Sequence, residues 1–392
     1  MTTTSAPPTK EIVERAAALV PVLRETAAAN EKARRVPEEH FDALSEAGVF
    51  RMTAPKRFGG DEADFETQCE VLAEVGRGCA STSWVATIFS AMTWLAAGFP
   101  DEAQEEILAP GDPRISGVFA PTGTAVRKNG GFVVNGRWAF NTGCHGAQWT
   151  FLNAIVETDD GQGLPTSFLV PSSELTMLDD WYASGMSATG SNTVVAEDVF
   201  VPAYRSQPLP EMTEGRYASA RHNADSVYFN LPLASVLVVN AGGTPVGVAR
   251  GALEVFFERL PGRPITFTNY ASQAEAPVTH LQVGEAALIV DSADSHMRRA
   301  CAILDEHAGG PMSVEARVKA RAHISHATGL ARDAVDILFS ASGASSIQHQ
   351  VPIQRFQRDI QALSNHAIMN PTTTTELYGR ILCGLEPNTL LY

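Results

Sequence analysis

The sequence predicts an α+β protein that is mostly helical: an N-terminal helical domain, a central β domain and a C-terminal helical bundle. Three observations carry this expectation. Helix formers and apolar residues at helical spacing fill the first hundred or so positions. Around Ile115 the texture changes to short β-branched and aromatic runs separated by turn residues. After Asn230 three long amphipathic stretches follow one another. A chain of 392 residues is long enough for two or three cores of ordinary size. The expected divisions are residues 1–111, 112–225 and 226–392.

Taken in order, Ala16 to Ala29 is rich in good helix formers. Pro37-Glu38-Glu39 reads as a first helical turn, with proline preset for the helix and two carboxylates near its positive end. Phe41, Leu44 and Val49 then recur at roughly helical spacing, punctuated by Gly48 and Gly59-Gly60. In the middle section, Asn129-Gly130-Gly131 followed by Phe132 to Trp138 reads as a hairpin turn entering a strand. Thr166 to Pro171 and Thr193 to Pro202 read as further strands. Val246 to Arg259, Val278 to His307 and Val314 to Ser342 are the long helices, joined by Gly262-Arg263-Pro264 and Gly309-Gly310-Pro311.

Composition narrows the function classes. A hydrophobic fraction of 44% with 19% charged residues belongs to a globular chain, not a disordered one. The net charge of −15 weighs against nucleic acid and anionic membrane as partners, since both repel an acidic surface. No run of 18 uncharged apolar residues predicts a membrane span, and Met1 to Pro8 lacks the basic and apolar segments of a secretory signal. The five cysteines are scattered without a C-x-x-C pair, so neither a zinc knuckle nor a disulfide framework is expected, and a cytoplasmic location fits. His323 and His326 share a helix face without a carboxylate at matching spacing, so they read as ordinary helix-face histidines and no metal site is expected. No Rossmann, P-loop or hydrolase-elbow motif occurs.

Two stretches near the C-terminus carry more chemistry: Gly343-Ala344-Ser345-Ser346-Ile347, then Val351-Pro352-Ile353-Gln354-Arg355-Phe356-Gln357-Arg358-Asp359, closing on His366. They resemble the flavin-binding end of the acyl-CoA dehydrogenase superfamily. There a Gly-rich turn, a basic segment and an Arg-Asp pair precede the catalytic position, commonly a glutamate within Tyr-Glu-Gly-Thr. This chain instead reads Asn365-His366-Ala367-Ile368-Met369-Asn370. A histidine in place of the dehydrogenase base resembles the oxygenase branch of the superfamily, the oxygenase components of two-component flavin-dependent monooxygenases. The resemblance runs through nearly the whole chain: Val36-Pro37 to Gly48, Glu74 to Trp84, Phe119-Ala120-Pro121-Thr122-Gly123, Gly136 to Gly143, and Gly185-Met186 with Thr189 to Thr193.

What the resemblance implies is specific. The fold is acyl-CoA dehydrogenase-like. Trp84 lies against the flavin or an aromatic substrate. Phe119, Ala120, Asn141, Thr142 and Gly143 hold the isoalloxazine, which wants short polar groups and backbone donors along one edge and an apolar surface on its face. Arg263 meets the flavin phosphate from a neighbouring subunit, as a basic residue suits that anion. Ser345, Ser346, His366 and Ala367 complete the flavin site, and His366 is the catalytic residue. Read without the family, Trp84 is a core tryptophan, Arg263 a solvated loop arginine, His366 a satisfied core histidine, and the 185–193 turn a structural device. Cys144 and His145 fall at the pocket rim, the thiol being inert.

The implied activity is hydroxylation of an aromatic substrate, polycyclic phenols included, through a flavin C4a-hydroperoxide. Its reagents are reduced flavin (FMNH2 or FADH2) and molecular oxygen. The missing nicotinamide motif makes a separate NAD(P)H:flavin reductase the expected source of electrons, and a homotetramer the expected assembly. Related phenol hydroxylases often carry a second histidine where this chain reads Phe89-Ser90-Ala91-Met92-Thr93-Trp94, so an apolar pocket wall and a larger substrate are expected there. The alternatives are a dehydrogenase with a displaced base, an N- or S-oxygenating enzyme, and a flavin binder without turnover.

Overall fold

Six helices come first in the computed structural model, which describes residues 9–158, 161–219 and 227–392. The expected boundary at 225 and the reading of Met1 to Pro8 lie outside those residues. The helices are α1 Thr9–Ala18, α2 Val20–Ala33, α3 Glu38–Ala47, α4 Phe65–Gly78, α5 Ala80–Ala96 and α6 Asp101–Leu108. Helix α3 has Pro37 at its start and closes on Gly48 in the left-handed conformation, as its sequence predicts. Asp64 caps α4 through the Thr67 amide.

Seven strands follow: β1 Ile115–Lys128, β2 Gly131–Trp138, β3 Trp149–Glu157, β4 Gly163–Pro171, β5 Thr176–Met177, β6 Val194–Pro202 and β7 Ser206–Pro208. They form one sheet in the order β5-β6-β2-β1-β3-β4-β7, antiparallel throughout except for the parallel β1–β3 pair. The predicted hairpin joins β1 to β2, with Gly130 at φ 82° in the turn. The β1–β3 register breaks between Val118 and Gly123, so residues 119–122 bulge out of the ladder.

Short helix α7 (Leu209–Thr213) leads to α8 Leu233–Asn240 and α9 Gly243–Arg259. Then come α10 Pro277–His307, α11 Val314–Ala341, α12 Ile353–Ser364 and α13 Pro371–Leu382. The stretch Leu233–Arg259 is long and apolar enough to cross a membrane, but 89% of its most apolar window is buried within the protein. It is a core element, and the reason is visible in its small residues. A Cβ on Gly243, Gly247 or Gly251 would lie 2.2, 2.0 and 2.6 Å from the carbonyl oxygens of Cys69, Ala73 and Arg77. Successive turns of α9 and α4 therefore touch backbone to backbone. Helix α5, almost wholly buried, runs between this bundle and the sheet and carries Trp84 into the junction.

Candidate active site

Helix α12 ends at Ser364, and the chain turns at once: the His366 amide donates to the Leu363 carbonyl (3.0 Å) and Met369 donates to the His366 carbonyl (2.9 Å). Asn370 then caps α13 through the Thr372 and Thr373 amides. This turn presents His366 to a cavity of about 260 Å³ whose wall includes Trp84, Phe140, Thr142, Trp181, Met186, Thr189, Ser191 and Leu363. The indole of Trp84 meets the imidazole edge-on, with 5.0 Å between ring centroids. The turn leaves His366 with exposed surface, while its imidazole forms part of the cavity wall and is crowded by the protein atoms around it. Burial, with the positive charge of Arg321 second, therefore pushes the imidazole down to about 4. The ring is thus held uncharged and acts as a hydrogen-bond partner.

Facing it is a chain of hydroxyls. Thr142 Oγ1 lies 2.8 Å from Ser191 Oγ, which lies 2.7 Å from Thr189 Oγ1, which donates to the Met186 carbonyl at 2.8 Å. Each hydroxyl has one proton. With the Thr189 proton on Met186, Ser191 donates to Thr189 and Thr142 donates to Ser191. Thr142 is thus left facing the cavity with acceptor lone pairs. Beside it, Asn141 is completely buried with both side-chain amide atoms unpartnered, and it is not among the residues that line the cavity.

The turn at 185–191 is pinned from behind. A Cβ on Gly185 would lie 2.1 Å from the Arg358 carbonyl, so only glycine lets this backbone lie on α12. The buried Asp359 accepts from the Met186 amide at 2.6 Å, and burial raises its carboxyl to about 6. The sequence assigned this turn a purely structural role within the sheet; instead it forms a wall of the cavity.

The other expected residues fall in three places. Phe119 and Ala120 lie on the β1 bulge, Phe119 packed on Phe151 and its carbonyl held by Asn153, while Ala120 is exposed. Gly143 has φ 73° and sits against Val85 and Phe89, where a Cβ would clash. Its amide donates to the Thr189 carbonyl (2.9 Å), so it is not the flavin donor the sequence suggested. Arg263, Ser345 and Ser346 gather at the end of α11: Arg263 donates to the Ser342 carbonyl (2.7 Å), and Ser346 donates to the Gly343 carbonyl (2.6 Å). Ala367 lies beside His366, its carbonyl accepting from Arg321 at 3.0 Å.

Two expectations are corrected. Cys144 is buried against the Gly190 carbonyl, and His145 lies in a separate cavity with Arg34 and Arg35, so neither lies on the rim around His366. Burial lifts the Cys144 thiol to about 11, consistent with an inert group. The segment Phe89 to Trp94 does not line the His366 cavity. Phe89 packs on Phe41 and Phe50, and Trp94 on Tyr217 and Phe229. His323, on its helix face, has its Nδ1 2.8 Å from that of His296.

Several contributors went unread in the sequence. Phe140, with φ 63° and 72% of its surface exposed, stands edge-on to Trp181 at the cavity mouth. Left-handed backbone at a phenylalanine is costly and marks a built feature. Arg259 lies one turn before Arg263, and burial together with the Arg263 charge lowers its pKa.

A helical–sheet–helical architecture with an interior cavity between α5, α12 and the sheet is that of the acyl-CoA dehydrogenases. The chain matches the family models of the acyl-CoA dehydrogenase N-terminal domain over residues 10–111 and C-terminal domain over 240–371. The FADH(2)-dependent resorcinol hydroxylase oxygenase component of Rhizobium sp. is 35% identical over 392 aligned residues, covering 97% of this chain and 96% of that protein. Among solved structures, the HsaA monooxygenase from M. tuberculosis superposes with a TM-score of 0.88 at 32% identity, covering 98% and 100% of the two chains. XiaF from Streptomyces sp., in complex with FADH2 and glycerol, superposes at 0.91 and 31%, covering 97% of each. The chain belongs to the acyl-CoA dehydrogenase superfamily. Within it, the protein is an oxygenase component of the flavin-dependent monooxygenases.

Proposed function

We propose that this protein hydroxylates a phenolic aromatic substrate in the cavity beside His366, drawing reduced flavin from a separate reductase. The observation that carries the reading is the pairing of His366 with Trp84 in a cavity on whose wall no carboxylate stands among the described residues. A dehydrogenase needs a carboxylate-type base for the proton next to a thioester, and none is placed here. A neutral imidazole instead accepts a hydrogen bond from a phenol O–H, drawing electron density toward the ring and strengthening as that proton becomes more acidic during attack.

The surrounding groups fit reduced flavin. The acceptor face of Thr142 suits an N–H donor. The like-charged Arg259 and Arg263 beside Ser345 and Ser346 suit a phosphate. Reduced flavin, once bound, supplies the electrons that activate oxygen; this chain's own tasks are to exclude water, orient the ring and hold one proton. The FADH2 of XiaF and the FADH(2) of the resorcinol hydroxylase make FAD the better candidate over FMN. With Phe89 to Trp94 off the cavity wall, a single-ring phenol fits as well as a fused one.

The assembly is proposed to be a homotetramer. Phe267, Leu281 and Leu288 are 104%, 75% and 71% exposed, a density of large apolar side chains that favours cover by another subunit. A cytoplasmic location suits the five free thiols.

The test combines two measurements. With NADH and oxidised flavin alone, the protein should form no hydroxylated product, and adding a competent flavin reductase should restore it. His366→Ala should then lower hydroxylation about 10²–10⁴-fold while flavin binding survives, with oxygen uptake appearing as hydrogen peroxide. Coupled product formation surviving in His366→Ala would remove the histidine from the mechanism.

A further inference from the structure

Behind His366 lies a cation that the hydroxylation reading does not use. Arg321, on α11, is 7% exposed. Its guanidinium donates to the Ala367 carbonyl (3.0 Å) and to the Leu391 carbonyl, and its Nε is buried without a partner. Among the described residues no carboxylate pairs with it. This sets it apart from Arg317, one turn earlier on the same helix, which is bound to Glu214. Removing a charge from water costs several kcal/mol unless it is paired, and arginine cannot escape that cost by losing its proton. An unpaired buried guanidinium is therefore either an accident or a charge held for what stands in front of it.

We propose that Arg321 is a positioning residue of the active site: it anchors the turn carrying His366 through the Ala367 carbonyl and sets a fixed, unpaired positive charge behind the imidazole. The inference rests on His366 as the residue that meets the substrate. The geometry supports both tasks. Ala367 is the next residue after His366, so the Arg321–carbonyl bond fixes the backbone on which the imidazole is mounted. Around the ring, α5 presents Trp84, the 185–191 turn presents Met186, Thr189 and Ser191, and α12 presents Leu363, none of which titrates near neutrality. Arg321 is the charged neighbour acting on the ring, and its positive charge opposes a second one on the imidazole. A phenolic proton then has a vacant acceptor waiting for it, and any charge that develops on the phenolic oxygen forms near a fixed cation.

The experiment uses the full chain with isotope-labelled histidine, the His366 signal being the one lost in His366→Gln. In the wild type His366 should stay neutral from pH 8 down to about 5. In Arg321→Met its titration midpoint should rise by about one unit, a tenfold gain in proton affinity. In Arg321→Lys, which keeps the charge but not the planar fork, the midpoint should stay with the wild type while the fraction of oxygen uptake coupled to product falls. An unchanged midpoint in Arg321→Met, or an equal rise in Arg321→Lys, overturns the proposal. If Arg321→Met does not fold, the lysine variant decides: a raised midpoint overturns the proposal, and an unchanged midpoint with reduced coupling supports it. The midpoints do not depend on whether His366 is catalytic. A His366→Ala enzyme that remains coupled would sink that reading alone.

Discussion

The cavity around His366 and the arginine rim at the end of α11 are built to opposite plans. The cavity is enclosed on all its named sides by one chain: Trp84 comes from α5, the hydroxyl chain from Thr142 to Thr189 from the loops beside the sheet, and His366 from the turn after α12. Its hydroxyls from Thr142 to Thr189 are already bonded to one another, and its 185–191 turn is held by the buried Asp359. The rim offers exposed Ser345 and half-exposed Arg263, with a second arginine crowded behind. Two like charges that find no carboxylate among the described residues, with Arg259 lowered by burial and by the Arg263 charge, make a site whose counter-charge is external. The difference teaches that the part of the site that orients a ring can be preorganised in a monomer, whereas the part that holds an anion is left open for a ligand brought from outside.

The largest expected effect probes how firmly the cavity is held. Asp359 has a folded pKa raised to about 6 by burial, above its ordinary value of 3.8. A raised carboxyl contributes stability that is full below pH 3.8 and is lost as pH rises through 6. Asp359→Asn keeps an acceptor for the Met186 amide without the charge. Wild type and variant should therefore diverge between pH 4 and 7, with the wild type losing roughly 3 kcal/mol relative to the variant. Urea midpoints measured at each pH read this out. Parallel curves would mean that Asp359 is ionised and fully compensated in the fold, and that the wall of the cavity carries no such strain.

A smaller effect is expected at the rim. Arg263→Met removes a charge-assisted contact worth about 2 kcal/mol, so reduced-flavin affinity should fall roughly thirtyfold. The hydroxylation rate at saturating flavin should hold, because His366 and Thr142 are untouched. Dilution under light scattering adds the second arm. If a neighbouring subunit completes the rim, flavin affinity should weaken over the concentration range where the assembly dissociates. Unchanged affinity in Arg263→Met would break the comparison, since the rim would then carry no anion.

How much of this was legible beforehand follows the range of the signals involved. The sheet hairpin, the start of α3 and the long bundle helices were readable because turn chemistry and periodicity are local. His366, Trp84 and Thr142 were readable as a set because the family resemblance supplied a spatial relation that spacing alone lacks. What escaped were relations between distant segments: Asp359 with Met186, 173 residues apart, Arg321 with Ala367, and Trp181 with Phe140. No local pattern distinguishes a buried, unpaired Arg321 from the ion-paired Arg317 beside it. The Gly143 amide was misassigned for a related reason, since a left-handed glycine announces a turn but not which carbonyl its N–H will meet. The resemblance to phenol hydroxylases points Phe89 to Trp94 at the cavity wall, whereas packing turns Phe89 and Trp94 toward other aromatic clusters.

The smallest effect returns to the cavity and asks whether its hydroxyl chain has a direction. Because Thr189 spends its proton on the Met186 carbonyl, Thr142 faces the cavity as an acceptor. An acceptor there discriminates between a flavin with a proton on its central ring nitrogen and one with a lone pair. Thr142→Val keeps the volume and removes the acceptor, leaving Ser191 without the donor it now has. Stability should fall by about 1 kcal/mol for the broken chain. The preference for reduced over oxidised flavin, measured by anaerobic titration of each form, should narrow by roughly fivefold, the equivalent of one modest hydrogen bond. Thr142→Ser should restore the preference, since it restores the oxygen with the same single proton. If valine leaves the ratio of the two affinities where it was, the chain runs the other way or the ring nitrogen lies elsewhere, and the cavity owes its selectivity to shape alone.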